Sequence, residues 1–129
     1  MSDLILIEKY DIFLKYIYPA LQEIPRKHGV LKARVIELVF SQAELIYKAI
    51  KSNQKSKLYE VDACLATVRH HLRFLSETRN VSDFLNSDTN KSERKVGKFL
   101  LSSKRHQVAS ILLAEVGKIV GSMIKGQMR

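Results

Sequence analysis

The sequence predicts an all-α protein, an up-and-down four-helix bundle, from three observations. Four stretches carry apolar residues at alternating steps of three and four, the spacing by which a helix packs on other helices. The first two connections between these stretches are short, as in antiparallel helical neighbours. No stretch shows the apolar–polar alternation of a half-buried strand. With 129 residues, of which 46% are hydrophobic and 27% charged, the chain is most simply one globular domain.

The first two helices are predicted over residues 4–24 and 27–51, with a connector at Pro25 between them. Pro19 lies inside the first pattern and removes one backbone hydrogen bond, so we expect a kink there. Gln42 falls within the seam of the second helix, where a polar residue can fix the register. The apolar positions are Ile7, Tyr10, Leu14, Ile17, Leu21 and Ile24, followed by Leu31, Val35, Leu38, Leu45 and Ala49, with Val39 and Ile46 in a second row.

The third helix is predicted over residues 54–78 and the fourth over residues 104–125. Residues 80–103 are rich in Asn, Ser and Asp, then in Lys and Arg, which predicts a long basic loop with one short helical turn near 93–101. The seam of the third helix consists of Leu58, Val61, Leu65, Val68, Leu72 and Leu75. The fourth helix has two apolar rows, Val108, Leu112, Glu115, Ile119 and Met123, and Ala109, Leu113, Val116, Val120 and Ile124.

The formal net charge is +9, from 22 Lys and Arg against 13 Asp and Glu. The excess is uneven, because the residues after Pro25 hold all of the net positive charge. Such a balance attracts polyanions. The single cysteine, Cys64, forms no internal disulfide, and neither a signal peptide nor a membrane span is indicated, so we expect a cytoplasmic protein.

Catalytic and metal-binding patterns are missing from the sequence. No Glu is followed three residues later by His, as ferritin-like sites in helical bundles require. The adjacent His70 and His71 point about 100° apart on a helix, so they do not share one metal ion. No P-loop, nucleophile elbow or dinucleotide-binding motif occurs. We therefore expect no enzyme, no cofactor and no metal.

Arg69 and Arg73 lie one turn apart on the third helix, beside its apolar seam. Like charges at this spacing cost a helix a few tenths of a kcal/mol, and an anionic partner would offset that cost. Local ion pairs are the alternative, between Arg73 and Glu77 and between Arg69 and Asp62.

Three further groups of bases accompany this pair. The first two groups, taken alone, are explained as a solvated connector and a solvated turn. Together with the net charge they favour a polyanion partner that is bound through its backbone, because no sequence-reading motif is present. The groups are Arg26 and Lys27 in the connector, Lys48, Lys51, Lys55 and Lys57 at the second turn, and Lys91, Arg94, Lys95, Lys98, Lys104 and Arg105 before and at the fourth helix.

A family likeness rests on residues 18–19 (YP), 24–30 (IPRKHGV), 51–54 with 56–59 (KSNQ and SKLY), 72–75 (LRFL) and 113–117 (LAEVG). Together these stretches resemble the accessory variability determinant (Avd) proteins of diversity-generating retroelements. The resemblance covers nearly the whole chain except residues 79–105. The segment 80–103 is longer and more basic than in the phage prototype of that family.

The resemblance implies a four-helix bundle that assembles as a pentameric barrel with a basic surface. It also implies binding to the reverse transcriptase of the retroelement and to RNA and DNA, in support of mutagenic template copying that diversifies a target gene. Arg69 and Arg73 match the functional basic pair of the family, and Arg26 with Lys27 matches its basic connector. We therefore take Arg69, Arg73, Arg26, Lys27, Lys55, Lys57, Lys104 and Arg105 as candidate binding residues.

Two other interpretations remain open at this point. The helical-bundle proteins encoded in ribosomal RNA intervening sequences are more distantly similar, which implies a structural or adaptor protein without a reverse-transcriptase partner. An enzyme with a cofactor in the bundle core is the second, and the absence of Glu-x-x-His argues against it. A reverse-transcriptase gene and a variable repeat beside this gene would favour the retroelement.

Overall fold

The computed structural model confirms the four-helix bundle. It describes the backbone of residues 2–86 and 91–126, and the side chains of residues 3–80 and 97–126. The elements in chain order are α1 (Ser2–Gln22), a 3-10 helix (Arg26–His28), α2 (Gly29–Ser52), α3 (Lys55–Glu77), β1 (Arg79–Asn86), β2 (Lys91–Phe99) and α4 (Ser103–Ile124). The helices thus lie within a few residues of their predicted bounds, and α1 continues through Pro19 to Gln22.

Residues suited to turns and caps mark the helix ends. Pro25 is extended, with φ −60° and ψ 151°, and its carbonyl accepts from the His28 N–H at 2.9 Å to begin the 3-10 helix. Asn53 ends α2 in the left-handed region at φ 53°, which Asn tolerates better than most residues. The Ser102 hydroxyl caps α4 by accepting from the Arg105 N–H at 3.2 Å.

The four helices close around one core, because each contacts the next along the chain and α1 also contacts α4. All six predicted seam residues of α3 are buried. In α2 the second row, Val39 and Ile46, is fully buried, whereas Leu38 and Leu45 of the first row are half-buried. In α4 the buried set is Ala109, Leu113, Val116, Val120 and Met123.

Two polar side chains lie inside this core. Gln42 is fully buried, as its place in the seam predicted, and its Nε2 donates to the Val61 carbonyl at 3.0 Å. The Tyr10 hydroxyl donates to the Val39 carbonyl, and burial raises the pKa of Tyr10. These bonds join α2 to α3 and α1 to α2 by groups that only one register satisfies.

The prediction of a loop over residues 80–103 is wrong. β1 and β2 pair antiparallel, from Arg79 opposite Phe99 to Asn86 opposite Lys91, with an irregularity between Arg79 and Val81. The predicted helical turn near 93–101 is wrong as well, because β2 extends to Phe99. Asn and Asp, which are depleted in strands, interrupt the strand-forming residues and hide the alternation. Residues 87–90 of the predicted loop lie outside the described residues.

The base of this hairpin is attached to the end of α3. The Leu100 N–H donates to the Thr78 carbonyl at 2.9 Å, and the Leu101 N–H donates to the Leu75 carbonyl at 3.2 Å. Leu100 and Leu101 are both buried in the core. The hairpin is therefore fixed where α3 ends and α4 begins.

Within the described residues, α4 is the one helix long and apolar enough to cross a membrane, with a mean hydropathy of 1.4. One such helix is weak evidence for a span, because the core helix of a soluble bundle meets the same criterion. Here α4 packs against α1 and α3 through its buried row.

Candidate nucleic-acid interface

The connector and the start of α4 lie together at one end of the bundle, which we call the connector end. The helices alternate in direction, so this end contains the end of α1, the start of α2, the base of the hairpin and the start of α4. His28 Nε2 lies 3.2 Å from Asn80 Oδ1, which joins the connector to β1. The basic residues of this end include Arg26, Lys27, Arg79, Lys98, Lys104 and Arg105. Four of the eight predicted binding residues are among them.

Arg105 is held by an acid of the connector end. Its Nη2 lies 2.9 Å from Glu23 Oε2, so an ion pair joins α4 to the segment after α1. The hydrogen bond from Arg105 lowers the pKa of Glu23, and the same bond raises the pKa of Arg105. Both side chains are substantially exposed, so an anion with a better geometry can compete for the guanidinium.

A cavity of about 730 Å³ opens beside this ion pair. Phe99 forms part of its wall, and the Arg79 guanidinium carbon lies 4.3 Å from the centre of the Phe99 ring. The cavity therefore combines cations, an aromatic ring and polar groups. Its lining residues are Glu23, Pro25, Asn80, Lys98, Phe99, Leu100, Ser102, Ser103 and Arg105.

Lys55 and Lys57 do not belong to the connector end. They begin α3, and Arg73 follows Lys55 by 18 residues, or roughly 27 Å along the helix axis at ~1.5 Å per residue. Lys57 Nζ is 3.5 Å from Glu60 Oε2, and Lys55 lies near the end of α4 at Gly126. Six of the eight predicted residues are thus divided between two opposite ends of the bundle, and Arg69 and Arg73 lie along α3.

Arg69 lies across the contact between α3 and α4. Its Nη2 donates to the Leu113 carbonyl at 3.2 Å. A Cβ placed on Gly117 would lie 2.7 Å from that nitrogen, so the absence of a side chain at Gly117 makes room for the guanidinium. Arg69 therefore contributes to helix packing as well as to surface charge.

Arg73 is exposed on α3, one turn closer to the connector end. The local alternative proposed from the sequence is not observed, since within the described side chains no ion pair joins Arg73 to Glu77 or Arg69 to Asp62. The two arginines thus differ, because Arg69 contacts α4 whereas Arg73 extends its charge from the surface.

The histidines and the cysteine form no described metal site. Across residues 3–80 and 97–126, no three His, Cys, Asp or Glu side chains are close enough to hold a metal ion. His71 lies 2.9 Å from the Thr67 carbonyl through Nδ1, within its own helix. Cys64 is half-buried, and burial raises the pKa of its thiol, which makes the reactive thiolate scarcer.

Sequence reasoning missed Arg79 and Phe99. Both lie at the base of the hairpin that was read as a loop, opposite each other in the strand register. To find them from the sequence, one would have to recognise two paired strands whose outer ends are Arg79 and Phe99.

The protein is thus a four-helix bundle with a net positive charge. No charged side chain of the described residues is buried, and several of the basic ones lie together at the connector end. A family model described as bAvd-like matches residues 4–100. The chain therefore belongs to the bAvd-like family and is an Avd-type accessory protein, as the sequence resemblance indicated.

The matched residues extend from α1 to the end of β2 and include the hairpin. The motif at residues 113–117 lies beyond them, on α4. A search of curated proteins gives no match. The more distant likeness to ribosomal intervening-sequence proteins is not confirmed.

Proposed function

We propose that this protein is a non-enzymatic accessory protein that binds RNA or DNA at its connector end and delivers it to the reverse transcriptase of a diversity-generating retroelement. The observation that carries the proposal is that six Lys and Arg residues lie together at one end of the bundle. They come from the connector, from the root of the hairpin and from the start of α4. Membership of the bAvd-like family supports the retroelement context.

Binding would act through phosphate contacts. Cations that neutralise phosphates release condensed counterions, so affinity falls steeply with salt and depends little on sequence. Arg73 extends the positive surface from the connector end along α3, and Arg69 adds to it with the donors that the Leu113 carbonyl leaves free. Lys55 and Lys57 would serve a second contact at the opposite end, where the same strand or another protomer could reach them.

Self-association into a pentamer is part of the proposal. Several large apolar side chains remain exposed on the outer faces of the helices, which is what an interface between copies requires. They include Ile5, Ile12, Tyr18, Phe40, Tyr47 and Ile111. Light scattering of the purified protein should give the mass of five protomers, and a monomeric mass would contradict this part.

The connector end can be tested with charge reversals. Arg26→Glu with Lys104→Glu changes the connector end, and Lys15→Glu with Lys118→Glu makes the same change in net charge at exposed positions of α1 and α4, outside both proposed contacts. We expect the first pair to lower affinity for a labelled RNA in fluorescence anisotropy by at least tenfold more than the second. With a single-stranded RNA it should also make the slope of log affinity against log salt shallower by about 1.4, at ~0.7 for each of two lost phosphate contacts.

Equal losses from the two pairs would refute the connector end as the site, since net charge alone would then explain binding. No affinity of the unaltered protein for RNA or DNA at ~50 mM salt would refute the binding function itself. The reverse-transcriptase partner is tested separately by co-purification with the reverse transcriptase of the retroelement. Failure to co-purify with a soluble, active enzyme would contradict that part.

A further inference from the structure

The connector-end cavity has a composition that general attraction to phosphates does not need. Cations and neutral polar side chains such as Asn80, Ser102 and Ser103 can all contact phosphates, yet Phe99 also forms part of the wall, and an aromatic ring adds nothing to phosphate binding. At about 730 Å³ the cavity falls within the range of ~300–1,000 Å³ that small-molecule sites occupy. Its lining therefore suits a group with an apolar face and polar edges.

Phe99 is prepared for stacking. Arg79 covers one face of its ring, with the guanidinium carbon 4.3 Å from the ring centre. Phe99 as a whole is 37% exposed, and it lines the cavity. Proteins that bind single strands stack unpaired bases on aromatic rings and on guanidinium planes. A base on the ring would complete a stack of guanidinium, ring and base.

Charged groups surround the ring at positions suited to a nucleotide. Lys98 and Arg105 line the cavity and provide cations for a phosphate, while the Glu23 carboxylate can accept from an exocyclic amine or a ribose hydroxyl. Arg26 and Lys104 adjoin lining residues in sequence and continue the positive charge beyond the cavity. A chain of nucleotides, more than a free mononucleotide, would use these outer cations.

We propose that the connector-end cavity receives one unstacked base of a single-stranded RNA or DNA, stacked on Phe99. This inference rests on the proposed nucleic-acid binding and narrows its ligand from any polyanion to a strand with an unpaired base. A base inside a duplex is stacked and paired on both sides, and extracting it costs a few kcal/mol, so a blunt duplex cannot use the cavity cheaply.

The test compares a labelled 12-nucleotide single strand with its blunt duplex, in fluorescence anisotropy at low salt. Phe99→Leu removes the ring and keeps an apolar side chain, and Phe74→Leu is the matched control, because Phe74 is an exposed Phe of α3 that does not line the cavity. We expect Phe99→Leu to weaken single-strand binding by roughly 5- to 150-fold, the range for loss of one stacked base, and to leave duplex binding within about twofold. Phe74→Leu should change neither.

A second variant shows whether a loss of binding in Phe99→Leu comes from loss of the ring or from misfolding. The chain has no tryptophan, so Phe99→Trp keeps an aromatic surface and introduces a single tryptophan, whose fluorescence can be excited separately from that of the tyrosines. We expect this variant to retain single-strand affinity, and its fluorescence to be quenched by the single strand and not by the duplex. Millimolar AMP should displace the strand poorly, since it lacks the phosphates that the outer cations contact.

Three results would contradict the stacking of a base of the strand on Phe99. If Phe99→Leu weakens both ligands equally or neither, or if Phe99→Trp shows no quenching on saturation with the single strand, the ring does not stack a base. Displacement by AMP at the affinity of the strand would assign the cavity to a free nucleotide instead. These results leave the proposed function intact when the connector-end charge reversals still weaken binding more than the control pair does, whereas an unaltered protein that binds neither ligand refutes both.

Discussion

Replacing Gly117 by Ala tests whether Arg69 fastens α3 to α4. The added Cβ would lie 2.7 Å from Arg69 Nη2, so the guanidinium must leave the Leu113 carbonyl that it contacts at 3.2 Å. The next neighbour, Leu65 Cδ2, would be 3.6 Å away, an ordinary van der Waals distance. The displaced atoms form the end of a flexible side chain, so the helices themselves need not move apart.

Two opposing effects determine the change in stability. Gly to Ala inside a helix gains about 1 kcal/mol. The hydrogen bond from a charged donor contributes about 1.5–3 kcal/mol when well formed, and this one belongs to a partly exposed side chain, so we take about 1 kcal/mol for its loss. Gly117→Ala should therefore leave the free energy of unfolding almost unchanged.

The same substitution behaves differently when Arg69 is absent. In an Arg69→Ala background no guanidinium is displaced, so Gly117→Ala should stabilise by about 1 kcal/mol, or roughly 3–5 °C in Tm for a chain of this size. Gly121→Ala is the control on the same helix, because its Cβ would meet no atom within 4 Å. It should stabilise equally in both backgrounds.

Urea unfolding followed by circular dichroism gives the four free energies of the double-mutant cycle. A coupling of about 1 kcal/mol between residues 69 and 117 is expected. If Gly117→Ala stabilises to the same extent with and without Arg69, the guanidinium does not hold the two helices together, and Arg69 is free for other partners.

Three further predictions concern the ion pair, the buried amide and the exposed arginine. Arg105 lowers the pKa of Glu23, so its contribution to stability is complete above the ordinary Glu pKa of ~4.3 and is lost as the pH falls through the lower folded value. Glu23→Gln should therefore lower Tm at pH 7 and have no effect at pH 2; a pH-independent difference would contradict this. Gln42→Leu should leave stability unchanged or raise it by up to ~2 kcal/mol in urea unfolding, because Oε1 is buried without a hydrogen-bond partner among the described atoms; a loss above ~1 kcal/mol would contradict it. Arg73→Ala should weaken RNA binding in anisotropy and leave Tm unchanged, and together with Arg69→Ala it should still leave the fold intact; unchanged affinity of the double variant would exclude both as binding residues.

The bundle was predictable because its signal is local and periodic. A seam such as Leu58 to Leu75 repeats over five turns of helix, and a surface that wide must be covered by other helices. Pro25 and Asn53 mark the breaks by backbone preference alone. The burial of Gln42 agrees with its place in the predicted seam, although Leu38 and Leu45 of the same row are only half-buried.

The hairpin was not predictable in the same way. Its strands alternate weakly, and pairing between Arg79 and Phe99 links residues 20 positions apart, which no local pattern records. The cavity at the connector end depends on this pairing, since Phe99, Lys98 and Asn80 reach it through the strands. The candidate Lys and Arg residues of the connector and α4 could be found from composition, whereas the Phe99 ring beside them could not.

The structure also separates two residues that the sequence treats as equivalent. Arg69 and Arg73 have the same type, the same exposure class and a spacing of one turn, so periodicity gives them one role. What distinguishes them lies on another helix, because Gly117 leaves space at the height of Arg69. A guanidinium has five N–H donors, and one bond to Leu113 leaves others for a phosphate, so fastening α4 and binding an anion are compatible in Arg69. The Arg69 side chain, held by Leu113, would then lose less conformational entropy on binding than the Arg73 side chain. This favours a well-ordered phosphate contact at Arg69, near the α3–α4 boundary, and a less ordered one at Arg73.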